Sequence, residues 1–211
     1  MYTLELCEAF TSLQGETSYA GLPCFFIRLS GCNLACTYCD TRCAREPGNE
    51  EKIETLVQMA GTGVHSIVVI TGGEPLLQPS WRNLALEICA RQGLPVLVET
   101  NGSKDISNVP AEVTAVVDFK CPGSGMSDEM DWGNIDRLRK HDEVKFVIGD
   151  RRDYQWACGI IRRENLGSRC SSVYLMPVWG RIEPGRIARW MLEDGVKARL
   201  GIQLHKIAGV R

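Results

Sequence analysis

The chain has 211 residues, with 24 basic and 26 acidic side chains, a formal net charge of −2 and 44% apolar residues. That mix excludes disorder as the main state and lacks the positive surplus needed to grip a nucleic acid backbone, so no direct nucleic-acid partner is expected. No run approaches the roughly 18 apolar residues of a membrane span, and the N-terminus has no basic segment leading into an apolar one. The expectation is one cytoplasmic domain over 1–211 with no membrane partner.

After an N-terminal preamble, Val-, Ile- and Phe-rich runs bounded by Gly, Pro or polar residues predict strands over 24–30, 66–71, 95–99, 115–119, 143–148, 173–176 and 197–204. Residues 45–51, with Pro47, Gly48 and Asn49 among charges, predict a loop. A helix is expected over 81–91, where Leu84, Ala85 and Ile88 share a face. A second is expected over 154–164, with Asp150 and Asp153 as candidate caps and Gly167 beyond it. A third, over 186–193, lies between Pro184 and Gly195. Alternating strands and helices mean a parallel sheet with crossover helices. A closed eight-fold barrel needs about 250 residues, so the expected fold is α/β, a partial (β/α)6-type open TIM-like barrel of about six parallel strands, with its active groups at the C-terminal strand ends.

Ten cysteines in a chain without a secretory signal point to metal or chemistry rather than disulfides. Cys32, Cys36 and Cys39 follow the first predicted barrel strand with C-x3-C-x2-C spacing. Iron–sulfur clusters are held by thiolates, and three thiolates on a four-iron cubane leave one iron open for a ligand. Cys43 keeps a second arrangement in play, a closed structural zinc site of Cys32, Cys36, Cys39 and Cys43. The strand over 66–71 runs into Gly72-Gly73-Glu74-Pro75. There the glycines permit close backbone approach to a ligand, and Glu74 could meet an ammonium group.

The run from Phe26 to Thr41, together with Thr71-Gly72-Gly73-Glu74-Pro75, resembles the radical S-adenosylmethionine superfamily. The short chain, Leu13-Gln14-Gly15-Glu16, Arg28, Asp40-Thr41, Glu99-Thr100-Asn101-Gly102 and Gln203-Leu204-His205 further resemble the 7-carboxy-7-deazaguanine synthase family, which serves queuosine and other deazapurine biosynthesis. The resemblance implies a single radical S-adenosylmethionine partial-barrel domain with a 4Fe-4S cluster on Cys32, Cys36 and Cys39. It implies S-adenosyl-L-methionine contacts from Tyr38, Cys39, Asp40, Gly73, Glu74, Lys120, Met176 and Pro177. It also implies Mg2+ on the Thr41 hydroxyl, and a 6-carboxy-5,6,7,8-tetrahydropterin substrate touched by Leu13, Gln14, Gly15, Glu16, Arg28, Thr71, His205 and the terminal carboxylate of Arg211.

Among these residues, Arg28 suits a bidentate carboxylate contact, and Gln14 and Glu16 suit the mixed donor and acceptor edge of a pterin. The implied reaction is hydrogen abstraction at the carboxylated carbon by a 5′-deoxyadenosyl radical, then ring contraction with loss of ammonia. A homodimer and a reductant such as a flavodoxin complete the implied partners. Two other functions compete: a glycyl-radical-type activating enzyme, and a non-catalytic zinc-stabilised scaffold.

Overall fold

The computed structural model describes residues 2–211. In chain order its elements are β1 (Thr3–Leu13), β2 (Pro23–Leu29), β3 (Asn49–Lys52), α1 (Ile53–Ala60), β4 (Ile67–Gly72), α2 (Trp81–Gln92), β5 (Val96–Thr100), β6 (Val113–Asp118), α3 (Asn134–Arg137), β7 (Glu143–Ile148), α4 (Arg151–Arg163), β8 (Ser172–Pro177), α5 (Pro184–Asp194), β9 (Arg199–Leu200) and α6 (Leu204–Ala208).

Among the described residues the strands form one sheet of nine, ordered β3-β1-β2-β4-β5-β6-β7-β8-β9. From β2 to β9 every neighbouring pair is parallel, the order that right-handed crossovers produce. β1 runs antiparallel to both β2 and β3. β3 and β9 are the two ends of the order, so the barrel stays open.

Strand alternation explains both the core and the site. One face of β2, β4 and β5 carries Phe25, Ile27, Leu29, Val68, Ile70, Val96 and Val98, which pack in one buried cluster with Leu56 and Val57 of α1 and Leu84 and Ile88 of α2. The other face carries Cys24, Ile67, Val69, Leu97 and Val116, a small separate cluster closed by Tyr19 and Phe26. Two or four positions further along the same face stand Arg28, Thr71, Glu99 and Asp118, with Lys145 beside them on β7. The concave face is therefore apolar toward the strand N-termini and ionisable toward their C-termini.

Several expectations shift. The N-terminal preamble is an eleven-residue strand, β1. Part of the expected loop over 45–51 is β3, whose Glu50 and Glu51 pair with Glu5 and Leu4. Its charges suit an exposed edge strand, and the turn formers Pro47 and Gly48 act just before it. The strand expected over 197–204 shrinks to Arg199–Leu200, and His205 lies on α6 instead. Gly201 ends that strand at a close approach, since a Cβ there would lie 2.7 Å from Met176 Cγ. α1 lies outside the three expected helices, and it buries Ile53, Leu56, Val57 and Ala60 at helical spacing. α4 starts at Arg151, with Asp150 accepting from Arg152 N and Asp153 N as its cap. Asp153 instead is buried and accepts from Gly123 N at 2.7 Å and Gly149 N at 3.0 Å. Among the described residues no helix is long and apolar enough to cross a membrane.

Candidate active site

A cavity of about 350 Å³ opens where the parallel strands end, lined by residues of β1, β2, β4 to β7, the cysteine loop and the C-terminal segment. Its position follows from the rule that barrel strands present their chemistry at the C-terminal face.

The thiol wall is built by residues 31–45, and backbone bonds fix it at both ends. Gly31 N donates to Ala44 O at 2.8 Å, and Thr37 N donates to Ser124 O at 3.0 Å. Arg45 Nη2 reaches Cys36 O at 3.1 Å. Cys32, Cys36 and Cys39 all line the cavity. Leu34 N and Asn101 Nδ2 point at the Cys32 sulfur, at 3.5 and 3.8 Å. Cys43 is exposed and outside the lining. It neighbours Cys7, whose thiol pKa is raised first by burial and then by Cys43. Among the described residues no three His, Cys, Asp or Glu side chains gather at one ion's position. Three thiols lining the cavity, with Cys43 outside the lining, fit an iron–sulfur centre that keeps one iron open better than a closed four-thiolate zinc.

Facing the thiols, the turn after β4 approaches by backbone. Gly73 N donates to Leu29 O at 3.1 Å and Glu74 N to Gly31 O at 2.8 Å. Glu74 does not line the cavity. Its carboxylate is fully buried and accepts from Asn101 N at 2.7 Å, Leu76 N at 3.0 Å and the Thr100 hydroxyl at 2.9 Å. Burial raises its pKa while these donors pull the other way. Glu74 thus ties the turn to the end of β5, and Asn101 carries that tie on to Cys32.

Tyr38, Asp40, Thr41 and Lys120 all line the cavity. Burial works against the Lys120 charge, but Asp118 at 2.8 Å and Cys36 outweigh it and the pKa is raised. Asp40 is brought down to about 2: burial opposes its ionisation, and Lys206 at 2.6 Å prevails.

The rest of the lining comes from the β1–β2 connection and the C-terminal segment, whose Lys206 reaches Asp40 on the cysteine loop. Gln14 Nε2 donates to Glu99 at 3.3 Å, and Thr71 Oγ1 donates to the other Glu99 oxygen at 3.0 Å. Glu16 accepts from Lys145 Nζ at 2.6 Å and Gln203 Nε2 at 3.0 Å. Gly15 lies behind the lining: its carbonyl accepts from Leu204 N, and a Cβ on it would stand 2.8 Å from His205 Cγ. Glycine is what lets α6 pack there. Burial lowers the His205 pKa, favouring a neutral ring. Arg28 Nε donates to Glu8 at 2.9 Å over the Phe10 ring, and the Arg211 guanidinium meets the same carboxylate.

Thr17 follows Glu16 with φ +65°, a left-handed conformation that costs a β-branched residue about 1–2 kcal/mol. Thr17→Gly relieves that strain but gives up the Thr17 hydroxyl that accepts from Tyr19 N at 3.2 Å, so chemical denaturation is expected to show a stability change within about 1 kcal/mol of zero.

Of the sequence-expected residues, Leu13, Gln14, Glu16, Arg28, Cys32, Cys36, Tyr38, Cys39, Asp40, Thr41, Thr71, Gly73, Lys120, His205 and Arg211 converge on this cavity. Gly15, Glu74, Met176 and Pro177 do not line it. Met176 and Pro177 are buried within β8, and the strand end meets the cavity one step later, at Val178 and Trp179. Glu99, Asp118, Lys145 and Gln203 line the cavity with no sequence-assigned role. For the first three the signal was present: each is a charge in a barrel strand made mostly of Val, Leu, Ile, Ala and Phe.

The Radical SAM superfamily model matches residues 26–118. The 7-carboxy-7-deazaguanine synthase of Koribacter versatilis is 40% identical, over 96% of this chain and 96% of that protein. The chain belongs to the 7-carboxy-7-deazaguanine synthase family. The enzyme of that name from Chlorobaculum tepidum is 38% identical over 96% of this chain and 93% of its own length. The crystal structure of QueE from Escherichia coli superposes with a TM-score of 0.75 over 96% of this chain and 95% of that one; at 22% identity it speaks for the fold. Members of the family are radical S-adenosylmethionine lyases that carry a 4Fe-4S cluster and form 7-carboxy-7-deazaguanine in deazapurine biosynthesis. Family membership and the remote Cys43 together disfavour the glycyl-radical and zinc-scaffold alternatives.

Proposed function

We propose that this cavity performs the family's ring contraction with a division of labour among its lining residues. The observation that carries the proposal is that Cys32, Cys36 and Cys39 line the same cavity as Arg28, Gln14 and Glu16. Cys32, Cys36 and Cys39 hold the cluster. The backbone of Tyr38, Cys39, Asp40 and Gly73, together with Lys120 and the β8 end, holds S-adenosyl-L-methionine. When bound, this pair supplies one-electron cleavage of the sulfur–C5′ bond and a carbon radical able to take hydrogen from the substrate.

Arg28 meets the substrate carboxylate with the part of its guanidinium that Glu8 leaves free. Gln14 and Glu16 take the amide and amine edge of the heterocycle, and Thr71, His205, Leu13 and Arg211 complete its enclosure. Thr41, an exposed-side hydroxyl bonded to Asp40 at 3.2 Å, gives Mg2+ an oxygen ligand near that carboxylate. Glu74 supports the cofactor turn from behind instead of touching the ligand. The chain works in the cytoplasm as a homodimer reduced by a flavodoxin-type donor; Ile202, Ile207 and Val210, exposed on the C-terminal segment, offer apolar surface for such a dimer.

Anaerobic reconstitution should yield about four irons and four sulfides per chain. Incubation of that protein with 6-carboxy-5,6,7,8-tetrahydropterin, S-adenosyl-L-methionine and reduced flavodoxin is expected to form 7-carboxy-7-deazaguanine, read by absorbance and mass. Iron-replete protein that forms none overturns the proposal.

A further inference from the structure

Lys145 stands on β7, between the outward-facing Val144 and Phe146, and its amine emerges in the cavity with the side chain 12% exposed. Three carboxylates face it: Glu16, Asp118 and Glu99. It reaches Glu16 at 2.6 Å and Asp118 at 3.7 Å. Asp118 is already held by Lys120 at 2.8 Å through the same oxygen, while its other oxygen is buried without a partner. The result is a chain of alternating charge, Lys120–Asp118–Lys145–Glu16, closed by Gln203 on the far oxygen of Glu16. It runs from the thiol side of the cavity to the heterocycle side.

The ends of this chain differ in how they are held. Lys120, Asp118 and Lys145 issue from or just beyond barrel strands, whereas Glu16 sits on the β1–β2 connection and comes to the cavity from another direction. Without Lys145, Glu16 keeps only the neutral Gln203 amide as a side-chain donor to its carboxylate, and it stands near the negative charge of Glu99 and Asp118. Like-charge repulsion then favours rotation of Glu16 out of the cavity.

We propose that Lys145 is a positioning residue: through its bond to Glu16 it fixes the carboxylate that receives the heterocycle edge, and through Asp118 it sets that carboxylate's distance from the cofactor side. This rests on the substrate assignment made above and adds the group that orients it. Lys145 touches no reacting atom, so its removal should weaken substrate binding more than the chemical step.

The test is a double-mutant cycle on the reconstituted holoenzyme, with Lys145→Met, Glu16→Gln and their combination, read as KM and kcat for the carboxypterin. Substrate-independent 5′-deoxyadenosine formation is measured alongside. Lys145→Met is expected to raise KM roughly 10- to 100-fold, the worth of a charge-assisted bond, with kcat within a few-fold. The double variant should match Glu16→Gln alone, because both changes remove one interaction. Lys145→Arg, which keeps the charge, should recover most of the loss and guards against a methionine variant that fails to fold. 5′-Deoxyadenosine formation without substrate, read in Lys145→Met and Lys145→Arg, establishes that cluster and cofactor are loaded, so that KM is compared between active enzymes. Additive KM effects, or an unchanged KM in Lys145→Met, overturn the positioning role while leaving the substrate assignment standing. An iron-replete wild type that neither binds nor converts the carboxypterin overturns that assignment and this role with it.

Discussion

Alanine at Cys32, Cys36 or Cys39 is expected to reduce the iron–sulfur absorbance and 5′-deoxyadenosine formation to background, whereas alanine at Cys43 leaves both at the wild-type level. The four cysteines lie within twelve residues, and spacing does not separate them. Geometry does. The loop of residues 31–45 is pinned by Gly31 N to Ala44 O and by Thr37 N to Ser124 O, and the first three thiols face inward from it. Cys43 falls in the short 3-10 turn Arg42–Arg45, exposed and on the Cys7 side. Two remaining thiolates cannot hold a cubane whose fourth iron must stay open for the cofactor. A closed zinc site would behave differently: all four alanine variants would lose metal together, and the metal would be one zinc per chain. Iron and zinc analysis after anaerobic reconstitution, with single-turnover 5′-deoxyadenosine assays, separates these outcomes.

What the sequence discloses of this site depends on how local each feature is. The thiol spacing and the Gly-Gly turn are continuous in the chain, so their chemistry is legible directly. The strands β2, β4, β5, β6, β7 and β8 are legible because a buried parallel sheet leaves apolar runs. β1 was not, because a partly exposed antiparallel strand mixes Glu5, Glu8 and Ser12 with its apolar residues, and β3 was hidden by its own charges. The orientation of Glu74 is not legible, for a different reason. A carboxylate beside two glycines suggests a ligand contact, but whether it turns outward depends on Thr100 and Asn101, which reach it from another strand. At the end of β8 the residue that faces the cavity is not legible, because a strand's last buried residue and its first cavity residue look alike in sequence. The Glu16–Lys145–Asp118 chain joins elements more than a hundred residues apart and needed the sheet order to be seen at all.

Gly73→Ala is expected to cost about 3 kcal/mol of stability in the metal-free protein, near the upper end of overpacking effects. A Cβ at Gly73 would stand 2.5 Å from the Gly31 carbonyl carbon, nearer still to its oxygen, and 2.8 Å from Ala44 O. These neighbours are all backbone, and the bonds Gly31 N to Ala44 O and Glu74 N to Gly31 O hold them in place. No side-chain rotation relieves the overlap, so the turn after β4 and the cysteine loop must separate. That separation also moves the wall assigned to the cofactor, and an ångström-scale displacement there is expected to lower S-adenosyl-L-methionine affinity by about 100-fold.

Gly31→Ala is the informative control. Gly31 has φ +89°, yet nothing lies within 4 Å of its absent Cβ, so its substitution meets backbone strain alone, about 1–2 kcal/mol. Denaturant unfolding of the two metal-free variants, and calorimetric titration of their reconstituted forms with S-adenosyl-L-methionine, read both effects. Equal stability losses would mean that the two loops yield to the added methyl and that their contact is not tight. A loss at Gly73 well beyond that at Gly31, joined to weakened cofactor binding, is what contact between the two loops requires.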